Sequence, residues 1–253
     1  TTLDNRCRDH LLTVSFPTGI QAATADWEAP FEIRTREVDP FTNDRLKKGP
    51  ELERQALQGF IDVQDETGGV ALFTKGIREA GTVSDGQAII NLTLFRATSN
   101  TFPIHNDLLI GFEEETSQCI GPQCFEYALY FHAKAAPGEV FSECRRYQTD
   151  LLAAQVGAGR QGDRPETESL FTLRDARTGV SAVKRSEEGD ALILRLFNPT
   201  GEAIRETVAF GRPIRQAALT DMKEEDSQPL RLNGQTADVD LPPFKIVTLR
   251  VEF

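Results

Sequence analysis

The feature that most constrains this fold is an alternation of apolar and polar residues with a period of two. Phe31 and Ile33 alternate with charged neighbours, and every second residue from Phe125 to Phe131 is apolar. Successive side chains of a β-strand point to opposite faces, so this pattern is typical of strands with one buried face. Similar patterns predict strands at Leu11–Phe16, Gly59–Gln64, Val70–Thr74, Ala88–Phe95, Leu170–Arg174, Val180–Arg185, Ala191–Phe197, Ile204–Phe210, Ile214–Thr220 and Lys245–Glu252. We therefore expect strands to dominate.

Turn-forming residues separate these segments. Ser84-Asp85-Gly86, Thr67-Gly68-Gly69 and Asn233-Gly234 hold residues that accept a positive φ at low cost, which is typical of hairpins between antiparallel strands. Two short windows, Gly49–Leu57 and Tyr147–Val156, have helical spacing. Because such sheets must stack to bury their apolar faces, we predict an all-β fold made of antiparallel β-sandwiches.

A stretch without periodicity predicts the domain boundary. Residues 157–165 are rich in Gly and charge, so we predict a linker at 156–165. Residues 1–155 would then form a large β-sandwich domain, and residues 166–253 a small C-terminal β-sandwich of immunoglobulin-like size.

Composition argues against several classes of protein. Lys and Arg number 28 against 39 Asp and Glu, and the resulting net charge of −11 disfavours a protein that binds nucleic-acid phosphates. No apolar run is long enough for a transmembrane helix, so we expect no membrane partner. The chain begins Thr1-Thr2 and its single methionine is Met222, from which we expect a piece of a longer protein.

The cysteines indicate neither a disulfide scaffold nor a zinc site. Cys7, Cys119, Cys124 and Cys144 are sparse and lack paired CxxC spacing, so we expect reduced thiols. The alternative is a bridge between Cys119 and Cys124, which a turn at Ile-Gly-Pro-Gln would bring within range.

The sequence shows no recognisable catalytic or metal centre. No two carboxylates stand out as the pair that most glycosidases need, and the histidines at 10, 105 and 132 lack the spacing that puts two imidazoles on one metal. Asp62 and Asp65 flank a predicted hairpin, where aspartates commonly cap turns, and His132 ends a predicted strand. We therefore expect no catalytic residue, metal site or cofactor in this segment.

Several stretches in order resemble one enzyme family. They are Gln58–Asp65, Gly69–Gly76, Leu92–Arg96 and Phe125–His132, with the flanking Arg8–Leu12, Phe16–Gly19 and Leu241–Leu249. Together they resemble the C-terminal β-domain of glycoside hydrolase family 38, the α-mannosidase family, and most closely its bacterial branch similar to mannosylglycerate hydrolases. The resemblance spans nearly the whole chain.

The resemblance implies a parent enzyme that is a retaining, metal-dependent α-mannosidase. Its nucleophile, general acid and divalent metal, usually zinc, would lie in an N-terminal barrel absent from this segment. The segment alone would be inactive and would pack against that catalytic domain, leaving an apolar face exposed in its absence. The implied ligand is a mannosylated substrate, and the expected location is the cytoplasm. Both a monomer and a homo-oligomer are compatible with the resemblance.

The same resemblance points to residues at the rim of the substrate cleft. In such enzymes the β-domain can send a hairpin toward the cleft, and the corresponding segment here is Lys75–Glu79. Lys75 or Arg78 would meet a carboxylate-bearing substrate, with Glu79 beside them, or the hairpin would simply be solvated. Arg96 would orient the rim or pair with a neighbouring carboxylate. Ala80 stands where relatives often have an aromatic residue, which weakens any stacking role there.

Two other functions compete with this interpretation. A stand-alone carbohydrate-binding or adhesion module would expose flat aromatic rings, for which Trp27, Tyr127, Tyr130 and Tyr147 are the candidates. A metalloenzyme would require the three histidines and some carboxylates to converge in space.

Overall fold

The computed structural model describes residues 1–38, 54–99, 115–155, 157, 165–225 and 227–253. Strands make up most of its regular structure. Those before the single α-helix in the described residues are β1 Thr2–Asn5, β2 Leu11–Pro17, β3 Thr24–Ala29, β4 Glu32–Glu37, β5 Gln55–Ala56, β6 Phe60–Gln64, β7 Gly69–Lys75, β8 Glu79–Ser84, β9 Ala88–Arg96, β10 Gly121–Cys124 and β11 Glu126–His132. After the helix α1, Pro137–Gln148, come β12 Phe171–Leu173, β13 Gly179–Arg185, β14 Leu192–Phe197, β15 Ile204–Phe210, β16 Gln216–Thr220, β17 Ser227–Pro229, β18 Leu232–Asn233, β19 Thr236–Leu241 and β20 Ile246–Glu252. A 3₁₀ turn covers Glu115–Gln118.

The chain divides into two compact units. The first holds Thr1–Ala29 and Arg34–Ala135, and the second holds Pro30–Ile33 and Ala136–Phe253. The predicted linker at 156–165 stays a prediction, since 156 and 158–164 lie outside the described residues.

The first unit is built on two larger sheets and a two-stranded ribbon. One sheet has the order β2-β9-β8-β5, the other has the order β11-β7-β6-β3-β4, and β1 pairs with β10. Their inward-facing residues form one apolar core, which includes the fully buried Trp27, Ile61, Leu72, Ile90 and Leu92. Because β6 and β7 are buried on both faces, residues such as Asp62 lie in the interior.

The second unit also contains two antiparallel sheets. Their orders are β12-β15-β19-β18 and β13-β14-β20-β16-β17. Alternate residues of β15 and β19 face inward, among them Val208 and Leu241, and pack with Leu194 and Leu249 of the other sheet. The all-β, antiparallel fold class predicted from the alternation is therefore confirmed.

Each of the three predicted hairpin turns lies between two antiparallel strands of the structure. The turns at 67–69, 84–86 and 233–234 join β6 to β7, β8 to β9 and β18 to β19, and Gly86 and Gly234 have φ values of 70° and 62°. A Cβ at those φ values would be strained, so glycine relieves a specific cost.

Neither predicted helix is confirmed by the described residues of its window, apart from Tyr147 and Gln148, which end α1. Residues 149–155 contain no helix, and Leu151 and Leu152 are fully exposed, so no surface of the described residues buries their shared face. In the other window, the described residues Gln55–Ala56 form β5, and 49–53 lie outside the described residues.

The helix that does form, α1, starts ten residues before the predicted window. Pro137 occupies its first turn, where its missing N–H costs nothing, and the Glu139 carboxylate accepts a hydrogen bond from the Ala136 N–H at 3.0 Å. Val140, Phe141 and Cys144 form its buried face. No helix in the described part of the chain has the length and apolar character needed to cross a membrane.

Candidate functional site

The four residues predicted at a substrate rim line one surface depression of the first unit. Lys75, Arg78, Glu79 and Arg96 surround a volume of about 610 Å³, together with Gly76, Ile77, Thr93, Leu94, Phe95, Cys124 and Phe125. They converge because β7 leads into β8 through a short turn, while the end of β9 lies beside the start of β8. Their role toward a substrate stays a prediction.

The turn between β7 and β8 is held by backbone contacts. Gly76 has a φ of 78°, and Ile77 is buried beneath it. The Thr74 hydroxyl lies 3.2 Å from the Ile77 carbonyl and 3.3 Å from the Gly59 carbonyl. The Arg78 guanidinium donates to the Gln58 carbonyl, and the Arg78 carbonyl accepts from the Leu57 N–H at 2.9 Å. The turn is therefore tied to the segment before β6 rather than freely solvated.

Arg96 forms an ion pair with Glu79 across the edge of the depression. Its Nη2 lies 2.9 Å from Oε1 of Glu79, and the two side chains are 55% and 36% exposed. A pair this exposed contributes only a few tenths of a kcal/mol to stability. It orients the Arg96 guanidinium, while the Arg96 side chain stays more than half exposed, where an anionic group could reach it.

Sequence reasoning missed the apolar floor of this depression. The rings of Phe95 and Phe125 lie nearly parallel, with centroids 6.1 Å apart and an angle of 11° between the planes. Thr93 is also part of the lining, and its buried hydroxyl has no hydrogen-bond partner among the described residues. Phe95 directly precedes Arg96, but only the fold brings Phe125 beside it.

This arrangement is suited to binding rather than to hydrolysis. Glu79 is the only carboxylate among the described residues that line the depression. A retaining glycosidase needs a second carboxylate about 5 Å away to act as nucleophile. An apolar floor beneath two arginines and a lysine can instead contact the carbon face of a polar ligand and pair with a negative group on it.

A buried acid–base pair lies elsewhere in the first unit. The His132 Nε2 is 2.9 Å from Oδ1 of Asp62, and the two side chains are 5% and 0% exposed. The His132 Nδ1 lies 2.7 Å from the Ala133 carbonyl oxygen. Burial raises the pKa of Asp62, while the hydrogen bond and charge of His132 oppose that rise and the nearby Asp26 adds to it. Asp62 therefore does not cap a turn, whereas Asp65 does, accepting from the N–H and hydroxyl of Thr67.

A second depression lies on the second unit, and several of the residues that line it contact or adjoin a buried carboxylate. It encloses about 710 Å³ and is lined by Arg174, Asp175, Ala176, Arg177, Arg205, Thr207 and Asp238. The fully buried Glu206 accepts hydrogen bonds from the backbone N–H groups of two lining residues, Arg174 and Thr207, at 2.7 and 2.9 Å, and from the Thr178 hydroxyl. Asp175 and Arg177 pair at 2.7 Å, and this guanidinium holds the pKa of Asp175 below its usual value.

The competing interpretations find little support in the described residues. No group of three or more His, Cys, Asp or Glu side chains converges there, and His105 lies outside them. Trp27 is fully buried, and Tyr127, Tyr130 and Tyr147 are half-buried, so no open aromatic face is formed. All four cysteines are free, including Cys119 and Cys124.

Comparison with known protein families shows which family the chain belongs to. The family described as "Glycosyl hydrolases family 38 C-terminal domain" matches residues 1–103, and "Glycosyl hydrolases family 38 C-terminal beta sandwich domain" matches residues 179–249. The two matches together cover more than half of the chain. The chain belongs to the C-terminal region of glycoside hydrolase family 38.

Related proteins agree with family 38. One is a protein of Halalkalibacterium halodurans, named provisionally as a mannosylglycerate hydrolase, which is 26% identical over 99% of this chain and 26% of its own length. An Enterococcus faecalis protein of family 38 superposes with a TM-score of 0.76 at 27% identity, over 98% of this chain and 27% of its own. An α-mannosidase from E. faecalis V583 gives a TM-score of 0.78 at 27% identity, over 98% of this chain and 26% of its own.

The resemblance drawn from the ordered sequence motifs is therefore confirmed. The chain is similar to the non-catalytic C-terminal part of family 38 proteins, and a stand-alone binding module is not favoured. It spans about a quarter of the length of these relatives.

Proposed function

We propose that this chain is the C-terminal β-sandwich region of an α-mannosidase that hydrolyses terminal α-mannosides, with mannosylglycerate as the first candidate substrate. The two family 38 matches at 1–103 and 179–249 carry this proposal. The names of the H. halodurans and E. faecalis relatives support the substrate class. The catalytic domain would lie upstream in the same polypeptide, and this region would buttress it.

The depression with the Phe95 and Phe125 floor is the part of this region that we assign to the substrate. Its rim residues Arg78, Arg96 and Lys75 are cationic in a chain whose net charge is −11. A local reversal of charge favours an anionic group, and the glycerate carboxylate of mannosylglycerate is such a group. Glu79 would hold Arg96 in position through their ion pair.

The divalent metal of the parent enzyme, for which zinc is our candidate, would be held by the upstream domain. The described residues of this chain offer no set of three ligands, so they do not fit a metal site. The cytoplasm is our proposed location, which the four free cysteines support.

The proposed function is tested by turnover of a chromogenic α-mannoside and of mannosylglycerate. The 253-residue chain is compared with the longer polypeptide that contains the upstream domain, with and without added zinc. We expect turnover by the longer polypeptide alone, lost with a chelator and restored by metal. Turnover by the 253-residue chain would contradict the proposal, as would a metal-loaded longer polypeptide that cleaves neither substrate.

The rim assignment predicts a substrate-dependent effect of Arg96→Ala in the longer polypeptide. One charge-assisted hydrogen bond to a carboxylate is lost, so KM for mannosylglycerate should rise about tenfold. The KM for the uncharged chromogenic mannoside should stay within about twofold.

Arg146→Ala is the matched control for this variant. Arg146 forms a similar exposed ion pair, 2.8 Å from Glu143, but it lies on α1 of the second unit and is not among the residues that line the depression. Equal effects of Arg96→Ala on both substrates, or equal effects of both variants, would overturn the rim assignment.

A further inference from the structure

The outer edge of β11 carries unpaired backbone groups. The N–H of Thr74 donates to the Gly59 carbonyl at 2.8 Å, so Thr74 directs its backbone groups toward the β6 side. Backbone groups of successive strand residues point in opposite directions, so Phe73 and Lys75 direct theirs toward β11, opposite Ala128 and Glu126. It follows that Tyr127, Leu129 and Phe131 point away from β7. Their backbone groups have no partner among the described residues.

The strand β1 already occupies the beginning of this outer edge. Thr1 and Phe125 exchange two backbone hydrogen bonds, each of 2.8 Å. Because Phe125 is two residues before Tyr127, its backbone groups point to the same outer side. The register continues antiparallel through Thr2 opposite Cys124 and Leu3 opposite Gln123. If the backbone upstream of Thr1 continued in the direction of β1, it would run alongside β11.

The side chains at this edge are incompletely covered. Leu129 and Phe131 are 40% and 70% exposed, and they share a face with Tyr127. The ring of Tyr127 packs on the core against Phe16, with centroids 5.6 Å apart. The seven-residue edge strand contains no proline, and its one carboxylate, Glu126, lies at its first position. Its exposed apolar side chains therefore leave it a template for one more strand.

We propose that the seven residues directly upstream of Thr1 in the longer protein form an additional strand, paired antiparallel with β11. The register of β1 places the first of them opposite Glu126 and the seventh opposite His132. The second, fourth and sixth would form hydrogen-bonded pairs with Tyr127, Leu129 and Phe131 and would share their face. Apolar side chains at the fourth and sixth positions would then cover Leu129 and Phe131.

This inference rests on the proposed function in one respect, because it requires that the chain is part of a longer polypeptide. The relatives are about four times as long as their matched part, which supports that premise. The segment upstream of Thr1 is favoured over a separate partner because β1 already delivers the backbone to this edge in the required direction.

A disulfide in the longer polypeptide tests the register. Ala128→Cys is combined with a cysteine at the third residue upstream of Thr1, which the register places directly opposite in a non-hydrogen-bonded pair. Facing Cα atoms in such a pair lie about 4.5 Å apart, within disulfide range. We expect this pair to oxidise nearly completely, as shown by peptide mapping. The matched control moves the upstream cysteine to the fourth residue, on the opposite face, where no bridge should form.

Hydrogen exchange gives a second readout in the same polypeptide. The amides of Tyr127, Leu129 and Phe131 should exchange about a hundredfold more slowly than unprotected amides, with Phe125 as the internal reference. Unprotected exchange, or equal yields of the two disulfides, would overturn the proposal. Protection that grows with protein concentration would also overturn it, because it would assign the edge to a second copy.

The outcome is separate from that of the mannosidase assay. If the disulfide forms with the expected register but the protein has no turnover, the proposed mannosidase activity is wrong and the additional strand is supported. If the protein has turnover but the β11 amides are unprotected, the activity is supported and the additional strand is wrong.

Discussion

At the scale of single residues, the buried pair formed by Asp62 and His132 constrains where its protons lie. The Ala133 carbonyl can only accept a hydrogen bond, so the His132 Nδ1 must carry a proton. The contact between Nε2 and Oδ1 then needs a second proton, carried by either partner, because two lone pairs would otherwise face each other. The pair therefore holds this second proton in the interior.

The raised pKa of Asp62 predicts a pH-dependent stability. Because the folded-state pKa lies above the ordinary value of 3.8, the stabilising contribution is complete below that value and is lost as pH rises through the raised pKa. Asp62→Asn should remove this dependence of the unfolding free energy on pH, since an amide N–H can donate to the His132 Nε2 at every pH. The check is urea unfolding of both proteins between about pH 3.5 and 7.

The difference between the two proteins isolates Asp62 from Asp26 and the other carboxylates. Parallel curves for wild type and Asp62→Asn would contradict the assignment.

At the scale of elements, His132 joins three strands of one sheet. It lies at the end of β11, opposite Gly69 of β7, and its ring reaches across β7 to Asp62 of β6. A Cβ added at Gly69 would lie 2.3 Å from Cε1 and 2.6 Å from Nε2 of His132. Because Gly69 has no side chain, the His132 ring has room to cross β7 and bind Asp62, which ties the edge strand β11 to β6.

Gly69→Ala should therefore destabilise the first unit by about 2 kcal/mol or more, because the imidazole must move and leave Asp62 buried without its partner. Thermal and urea unfolding measure this loss. Gly157→Ala is the control, since an added Cβ there meets no atom of the described residues within 4 Å. If His132 is the cause, Gly69→Ala and His132→Ala will be less than additive, whereas additive losses would point elsewhere.

In the second unit, the Glu206 carboxylate fixes the loop between β12 and β13. Glu206→Ala leaves the N–H groups of Arg174 and Thr207 and the hydroxyl of Thr178 without their acceptor. We expect a loss of about 3 kcal/mol in the free energy of unfolding. Glu202→Ala, which removes an 81% exposed carboxylate paired with Arg177, should cost less than about 1 kcal/mol. Similar losses for the two variants would contradict this ranking.

At the scale of the whole molecule, stability depends on two apolar cores and on no covalent link in the described residues. All four cysteines are free. The melting temperature should therefore be the same, within about 1 °C, with and without reductant. A decrease of several degrees with reductant would indicate a disulfide, for which Cys119 and Cys124 would be the first pair to map.

Much of the strand content was predictable because alternation is a local signal. β15 begins and ends where the pattern predicted, and β2, β6, β7 and β9 differ by at most two end residues. The predictions missed β3 and β8, since Glu28 is buried in β3 and β8 contains the small residues Ala80 and Gly81. In both strands, burial comes from neighbours far along the chain rather than from an alternating pattern.

The sequence by itself determined the all-β class, the hairpin positions and the membership in family 38, because each depends on local periodicity or on ordered motifs. It also singled out Lys75, Arg78, Glu79 and Arg96, which are close in sequence or in paired strands. Only the tertiary structure decided that Phe125 forms the floor beside Phe95, that Asp62 meets His132 above Gly69, and that the outer edge of β11 is unpaired among the described residues. The physical reason is that these features join segments 30 to 70 residues apart, and such contacts depend on strand order and register, which side-chain patterns alone do not specify.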